Sequence, residues 1–230
     1  MMSWLDNAAE LKICLQSLSV RDGSGLELDP DATFQQWRDL GLLIRETRKT
    51  VYLIGNGASA SMASHIAADL AKNAGIHTEV FSDLSLMTAI ANDFGYEDVF
   101  AEPLRRRMAP GDMLVAVSSS GNSPNILRAT EAANSLGGLT VTLSSLREDN
   151  RLRSSGMLNF YVKGSTYGMA ESCHAAVLHY WVDLTCAEKL PEDLIMRDQT
   201  SPPLFQENYQ LFPLPQEPSF GARSNAVVPE

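Results

Sequence analysis

The sequence predicts an α/β fold in which a parallel sheet is covered by helices on both faces. From about residue 50 to 190, short apolar runs alternate with longer stretches of helical periodicity. Two of the apolar runs end in loops rich in Gly, Asn and Ser, "GNGASAS" at 55–61 and "SSSGNS" at 118–123. In parallel sheets, ligands bind beyond the carboxyl ends of the strands. The two loops are therefore the first candidates for a binding site.

The elements follow in order along the chain. Apolar spacing predicts two helices at the start, over residues 7–20 and 32–48, with Asp31 as the N-cap of the second. The turn-rich segment 21–31 separates them. Five strands are predicted from their apolar and β-branched residues, over 50–57, 77–83, 112–118, 139–145 and 158–164. Helices are predicted between and after them, over 59–75 (ending at Gly75), 84–92, 123–138 and 169–190.

Composition limits the organisation and the partners of the chain. Residues 1–190 are predicted to form a single domain, and 191–230, rich in Pro, Ser, Gln and Asn, an extended or disordered tail. The chain shows no secretory signal and no run of about 20 apolar residues, so we expect no membrane partner. Three cysteines without a metal-type spacing indicate a reducing cytoplasm. A formal net charge of −10 argues against nucleic-acid binding.

The two loops have features suited to a phosphorylated ligand. Glycines in the first loop allow the backbone to approach a ligand, and the helix that follows offers unpaired N–H groups to an anion. This loop is neither a dinucleotide fingerprint nor a P-loop, because the P-loop Lys is missing. The second loop carries four hydroxyls where a helix cap needs only one. It is therefore predicted to bind phosphate through its four serines, Ser118, Ser119, Ser120 and Ser123.

Two further groups of residues are candidates for chemistry. His65 and Asp69 are spaced i and i+4, on one face of the helix after the first loop. Glu171 and His179 are separated by about 12 Å of helical rise, so they reach one ligand only if Glu171 lies in the turn that enters the helix. Glu171 and His174, at i and i+3, are the easier pair. The spacing alone leaves these alternatives open.

Together, "GNGAS", the His and Asp four apart, "AIANDFGYEDVF", "SSSGNSPN" and the Glu–His pair resemble the phosphoheptose isomerase family of sugar isomerase (SIS) domain proteins. The resemblance covers roughly residues 35–188. It implies a flavodoxin-like five-stranded parallel sheet preceded by extra N-terminal helices. It also implies a homotetramer with shared active sites and a reaction on sedoheptulose 7-phosphate. The residues that it assigns to the substrate are Asn56, Gly57, Ala58, Asn92, Asp93, Glu171 and the four serines.

The same resemblance implies the catalytic and metal residues. Asp69 and His179 match the catalytic carboxylate and histidine. Several members of the family bind one zinc ion per site, and the matching ligands here are His65, Asp69, Glu171 and His179. Two histidines and two carboxylates form a donor set that zinc accepts.

This sequence departs from the family at four of the positions concerned. Asp69 stands where Glu is usual, Glu171 where Gln is usual, and Ala58 where Gly is usual. Asn73 stands where a basic residue is common. The departures keep the ketose–aldose isomerase class and leave the identity of the sugar open.

Two other functions are compatible with the residues. One is a non-catalytic tetrameric SIS protein that binds a bacterial replication initiator. The other is a sensor that binds a sugar phosphate without turnover. The presence of both histidines and both carboxylates favours the enzyme, because moving a proton between C1 and C2 of a ketose needs groups that exchange protons near neutral pH.

Overall fold

A seven-stranded sheet forms the centre of the computed structural model, which describes residues 3–187. The strands are β1 Ser19–Asp22, β2 Glu27–Leu28, β3 Thr50–Gly55, β4 His77–Val80, β5 Met113–Ser118, β6 Leu139–Ser144 and β7 Leu158–Tyr161. Their order across the sheet is β2-β1-β7-β6-β5-β3-β4. The five predicted strands, β3 to β7, are parallel, which confirms the prediction. Numbered from β3, their order is the 2-1-3-4-5 of flavodoxin-like sheets.

The sheet has seven strands rather than five because residues 19–28 form a hairpin. In this hairpin, β1 pairs antiparallel with both β2 and β7. Residues 19–20 were predicted as the end of the first helix, which instead stops at Gln16, and residues 21–28 as part of the turn that follows. The turn residues do turn the chain. The Asp22 carboxylate accepts hydrogen bonds from the backbone N–H groups of Ser24 and Leu26 at 2.8 and 2.9 Å, and Gly25 adopts a φ of +89°. The turn residues between the two strands, Asp22 to Gly25, dominate the local sequence pattern and hide both strands.

Within residues 3–187, seven α-helices accompany the sheet. They are α1 Trp4–Gln16, α2 Pro30–Glu46, α3 Ala58–Asp69, α4 Leu84–Asp93, α5 Ala101–Arg107, α6 Pro124–Ser135 and α7 Tyr167–Ala187. A π-helical turn, Leu70–Ala74, continues α3 as far as Gly75, which has a φ of +66° as its predicted role as a stop requires. The short α5 was not predicted. No helix within residues 3–187 combines the length and the apolar character needed to cross a membrane. The predicted tail, 191–230, lies outside the described residues.

The start of α2 corrects one prediction. The N-cap is Asp29, whose carboxylate accepts the backbone N–H of Ala32 at 2.9 Å, and not Asp31, which lies in the first turn. Pro30 occupies the first helical position, where its missing N–H costs nothing. The Asp-Pro pair therefore begins the helix two residues earlier than its apolar period suggests.

Aromatic packing fixes how α7 lies on the core. The ring of Trp181 stacks on that of Trp37 in α2, with centroids 4.2 Å apart and an 8° angle between the planes. Its indole N–H donates to the Trp37 carbonyl oxygen at 3.1 Å. Both tryptophans are fully buried, so this contact sets the rotation of α7 about its own axis. His179, two residues before Trp181, is then held on the side of α7 that faces α3.

Candidate functional site

Three hydroxyls gather where β5 ends. Ser118 is the last residue of that strand, and its Oγ lies 3.4 Å from the Oγ atoms of both Ser120 and Ser123. Ser123 is the N-cap of α6 but makes no side-chain capping bond, so its hydroxyl remains available to a ligand. In the first turn of α6, Pro124 has no N–H and the N–H of Ile126 donates to the Asn125 Oδ1, so the hydroxyls are the main donors beside this loop. This arrangement has the donors that a phosphate group needs.

The fourth predicted serine is placed differently. The Ser119 side chain is buried, and its hydroxyl has no hydrogen-bond partner among the described residues. Its backbone carbonyl accepts the N–H of Ser145 at 3.2 Å, which ties the loop to the end of β6. Ser119 therefore holds the loop to the sheet, and its hydroxyl is not exposed with those of Ser120 and Ser123.

The segment of residues 150–152 contacts the serine loop and supports it. Gly121 has a φ of +62°, and a Cβ at this position would overlap the side chain of Asn150. The Gly121 carbonyl accepts the backbone N–H of Leu152 at 3.0 Å, and the Asn122 carboxamide oxygen accepts that of Arg151 at 3.1 Å. These contacts hold the serine loop in place from within the protein, which lowers the entropy cost of binding.

The first glycine-rich loop lies at the end of β3, beside the serine loop in the sheet. Gly57 is the N-cap of α3 with a φ of +56° and a ψ of −124°, a conformation that residues with a Cβ rarely adopt. Ala58 begins the helix. The side chain of Asn56 is paired with that of Asn125, in the first turn of α6, by two hydrogen bonds of 2.9 and 3.0 Å. The order of the strands in the sheet reverses between β3 and β5. The Asn56–Asn125 pair therefore spans the topological switch point, at which such folds bind ligands.

Asn125 is not among the residues that the sequence assigns to the site. It is 2% exposed, and the signal for it was weak, because an Asn in the first turn of a helix is common for capping reasons alone. Its pairing depends on a residue 69 positions earlier, which local sequence patterns do not reveal.

Asn92 and Asp93 lie at the carboxyl end of α4. Both side chains are exposed, and the Asn92 amide donates to the Asp93 carboxylate at 2.8 Å. The hydroxyl of Tyr96, three residues on, lies 3.4 Å from the Asn56 carboxamide oxygen. That contact brings the segment after α4 to the edge of the first loop.

A group of two histidines and a carboxylate lies between α3 and α7. One ligand atom from each of His65, Asp69 and His179 lies within 4.8 Å of the other two. The Nε2 of His65 is 3.4 Å from the Asp69 Oδ2, and the two imidazole rings have centroids 5.2 Å apart. All three side chains are at least partly exposed. Two imidazoles and one carboxylate are a donor set that fits a catalytic zinc ion, whose fourth position stays open.

Glu171 does not belong to this group within one chain. It lies inside α7, which begins at Tyr167, and so it is separated from His179 by two turns of regular helix, about 12 Å. Glu171 and His179 could meet at one ion only if Glu171 lay in the turn that enters α7. It lies within the helix instead, so the two do not meet in one chain.

His174 occupies the core rather than a site with Glu171. It is 1% exposed, and its Nε2 lies 3.1 Å from the carbonyl oxygen of Ser144, at the end of β6. Burial lowers the pKa of His174 to about 4, so the imidazole is neutral at neutral pH and its Nε2–H donates to Ser144. This histidine links α7 to the strand beside the serine loop.

The binding loops and the His65–Asp69–His179 group are separated along α3. His65 lies eight residues and Asp69 twelve residues beyond Gly57, which correspond to about 12 and 18 Å of helical rise. One chain therefore carries the serine loop at the end of the sheet and the His65–Asp69–His179 group two to three helical turns further along α3.

Known proteins share both the sequence and the fold. A family model described as SIS domain matches residues 42–145. The phosphoheptose isomerase of Helicobacter pylori (strain Shi470) is 34% identical over 150 residues, which cover 63% of this chain and 77% of that protein. The phosphoheptose isomerase of Aquifex aeolicus (strain VF5) is 30% identical over 140 residues, covering 58% and 73%.

Among solved structures, the phosphoheptose isomerase of Neisseria gonorrhoeae superimposes with a TM-score of 0.67 at 25% identity. The match covers 79% of this chain and 96% of that one. Sequence similarity and fold thus agree over most of the length of these relatives, and the chain belongs to the phosphoheptose isomerase family.

Proposed function

We propose that the chain is a ketose–aldose isomerase that converts sedoheptulose 7-phosphate to a heptose 7-phosphate through an enediol. The observation that carries this proposal is the combination, in one fold, of the serine loop with a histidine–carboxylate group. Relatives that match over most of their length are named phosphoheptose isomerases, which supports the same reaction and substrate.

The serine loop is assigned to the phosphate. Ser118, Ser120 and Ser123 supply hydroxyl donors around one point, and a hydrogen bond to a charged acceptor contributes about 1.5–3 kcal/mol. Asn56, Gly57 and Ala58 lie beside this loop and are assigned to the sugar. Asn92 and Asp93, at the end of α4, are assigned to the sugar as well.

Asp69 and His179 are assigned to proton transfer. A base removes a proton from C1 of the ketose while the C2 carbonyl oxygen gains one, which forms the enediol. Loss of the O1 proton and return of a proton to C2 then give the aldose, so atoms and charge balance over the two steps. A carboxylate and an imidazole close together can exchange these protons in turn.

Zinc is assigned to the same group. His65, Asp69 and His179 would hold the ion, and their mixture of nitrogen and oxygen donors fits it. A bound divalent ion would polarise the sugar oxygens and so stabilise the charge of the enediolate. Asp69 then serves as ligand and as proton-transfer group, and its shorter side chain suits the short distance to His65.

The complete site is assigned to a homotetramer in which chains share active sites. The separation of the two functional surfaces along α3 supports sharing, because a second copy could place its own group beside the serine loop of the first. Glu171, which is remote from His179 in its own chain, would then reach a site from a neighbouring copy. Exposed apolar side chains on α1, including Trp4 and Leu5 at 78% each, support burial against another subunit. The thiols of Cys14 and Cys173 form a hydrogen bond of 3.2 Å rather than a disulfide, which supports a cytoplasmic location.

One experiment tests the reaction directly. Purified protein is incubated with sedoheptulose 7-phosphate in heavy water, and the products are examined by NMR. We expect an aldose that carries solvent deuterium at C2. Tight binding of the sugar phosphate without aldose and without deuterium would overturn the enzyme and identify a sensor.

A further inference from the structure

We propose that Asn125 is a positioning residue, which fixes the Asn56 carboxamide so that a single N–H of Asn56 is left for an oxygen atom of the sugar. The inference rests on the proposed assignment of Asn56 to the sugar. It adds a residue outside that assignment and specifies the polarity of the contact.

The orientation of Asn125 is determined by the backbone. Its Oδ1 lies 3.0 Å from the backbone nitrogen of Ile126, which can only donate. The atom facing Ile126 must therefore be the oxygen, and the Asn125 Nδ2 must face Asn56. Carboxamide orientations are otherwise ambiguous, and this contact removes the ambiguity.

The orientation of Asn56 follows from that of Asn125. The Asn125 Nδ2 donates to the Asn56 Oδ1 at 2.9 Å, and the Asn56 Nδ2 donates to the Asn125 Oδ1 at 3.0 Å. The Tyr96 hydroxyl, 3.4 Å from the same Asn56 Oδ1, is a further donor to it. The Asn125 amide occupies one lone pair of that oxygen, and the Tyr96 hydroxyl faces the other.

The N–H groups that remain on Asn56 show whether the ligand group must donate or accept a hydrogen bond. The Asn56 Nδ2 carries two N–H groups, and one is used by Asn125. Among residues 3–187, the side chain of Asn56 has no partner besides Asn125 and Tyr96. One N–H is left, so the ligand group that meets Asn56 must be an acceptor, such as a carbonyl or hydroxyl oxygen.

Because Asn125 is buried, its carboxamide needs a hydrogen-bond partner. Asn125 is 2% exposed, and an unpaired buried carboxamide would cost about 1–3 kcal/mol. The pair joins the loop after β3 to the first turn of α6, and so holds the sugar-side loop in register with the phosphate-side loop. Misplacement of a contact by about 1 Å can reduce a rate about a hundredfold.

A double-mutant cycle tests the coupling. Asn125→Ala, Asn56→Ala and the double variant are compared by KM and kcat for sedoheptulose 7-phosphate and by the affinity for inorganic phosphate. We expect Asn125→Ala to raise KM about tenfold in the wild-type background and less than about twofold in the Asn56→Ala background. Phosphate affinity should stay within about twofold throughout, because the serine loop is intact. Equal effects of Asn125→Ala in both backgrounds would overturn the proposal.

Thr130→Val is the matched control. Thr130 is also buried on α6, and its hydroxyl donates to the Ile126 carbonyl at 2.8 Å, so the variant loses a buried hydrogen bond without touching Asn56. It should lower stability and leave KM unchanged. A rise in KM equal to that of Asn125→Ala would show that loss of stability, and not positioning, causes the effect.

A measurement on the wild-type, ligand-free protein covers the case in which Asn125→Ala does not fold. The side-chain amide signals of Asn56, assigned by their loss in Asn56→Ala, are followed by hydrogen exchange. We expect one of the two protons to be protected and the other to exchange rapidly, and rapid exchange of both would overturn the pairing. This result does not depend on turnover. Absence of isomerisation would refute the proposed function, whereas isomerisation without coupling in the cycle would refute only the role of Asn125.

Discussion

Ser120 contributes one of the three hydroxyls at the end of β5, and its removal tests the phosphate site. We expect Ser120→Ala to raise KM about tenfold or more and to change kcat much less. The phosphate is remote from C1 and C2, so its contacts act on binding rather than on the chemical step. Steady-state kinetics and titration with inorganic phosphate measure both quantities.

Ser135→Ala is the control for Ser120→Ala. Ser135 lies at the other end of α6, where its exposed hydroxyl donates to the Glu131 carbonyl at 2.8 Å. This variant should bind phosphate as the wild type does. The assignment fails if Ser120→Ala and the wild type have the same affinity for a phosphorylated sugar.

The buried His174 makes stability depend on pH. Its pKa in the folded protein is about 4, below its ordinary value of 6.5, because burial disfavours the charged ring. Between these values the unfolded chain takes up a proton that the folded chain does not, so stability falls as the pH drops from 6.5 to 4. The loss is on the order of 3 kcal/mol.

His174→Gln tests this dependence. The Gln amide can donate to the Ser144 carbonyl in place of the imidazole but does not titrate. Denaturant unfolding at several pH values should show a smaller loss of stability on acidification for the variant than for the wild type. Parallel curves for the two proteins would contradict the effect of burial on His174.

Asp69→Glu distinguishes two roles for Asp69. The change adds one methylene to a side chain that lies 3.4 Å from His65. If Asp69 is a closely fitted zinc ligand, the variant should lose metal, and activity should fall in proportion. If Asp69 acts as a base only, turnover should persist with metal content unchanged. Elemental analysis and kinetics on the same preparation separate the two, and full activity of the wild type after exhaustive chelation would contradict a metal role.

At the level of single residues, the sequence predicted what is encoded locally. The His65–Asp69 contact follows from i, i+4 spacing on one helix, and the clustering of three serine hydroxyls follows from their closeness in the loop. The meeting of His179 with His65 was expected only through family resemblance, because it depends on how α7 rotates against Trp37. Asn125 escaped prediction for the same reason, since its partner comes from a different loop.

At the level of elements, the junction of β3 with α3 has the tightest backbone approach near the site. A Cβ on Gly55 would lie 2.6 Å from the carbonyl carbon of Ser59 and 2.7 Å from its oxygen. Gly55→Ala must therefore push the start of α3 outward. We expect a loss of about 1–3 kcal/mol in stability, together with weaker sugar binding, because Asn56 moves with the junction. Thermal unfolding and KM measure the two effects.

Gly168→Ala is the comparison for Gly55→Ala. Gly168 lies in the first turn of α7, and a Cβ there would meet only the Thr166 hydroxyl, at 4.0 Å. Alanine favours a helix over glycine by up to about 1 kcal/mol, so this variant should be as stable as the wild type or more so. A Gly55→Ala protein with unchanged stability would show that α3 can move freely.

Strands with a continuous apolar run were predicted, whereas the two strands of the hairpin and α5 were not. The strands β3, β5 and β6 each have six residues, nearly all of them buried, and their apolar runs are clear in the sequence. The two-residue β2 and the seven-residue α5 contain less than two full periods of a helix or strand pattern. Their conformations depend on what they pack against, namely β1 and α6.

At the level of the whole molecule, subunit mixing tests whether sites are shared. Asp69 and His179 lie in the same group of one chain, so variants of these two cannot restore each other by mixing. The informative pair is Asp69→Asn with Ser120→Asp, in which the new carboxylate repels phosphate. If serine loop and histidine–carboxylate group come from different chains, mixed assemblies contain some intact sites, and part of the activity returns.

Size measurements complete this test. We expect light scattering to give a tetramer, and the mixed sample to recover activity only after its subunits have exchanged. A fully active monomer would exclude shared sites. Failure to recover activity in exchanged tetramers would place both surfaces of each site in one chain.

The hairpin of residues 19–28 also has a consequence for behaviour at high concentration. Exposed strand edges invite pairing between molecules, which leads to aggregation and fibrils. Here one sheet edge is the two-residue β2, where Arg21 and Glu27 pair at 2.7 Å, and the other is the four-residue β4, where Glu79 pairs with Arg107 at 3.0 Å. Without the hairpin, the edge would be β7, whose four residues are all buried. The hairpin therefore covers β7 and makes β2 the edge strand. This edge carries charged side chains and is too short to act as a template for another chain.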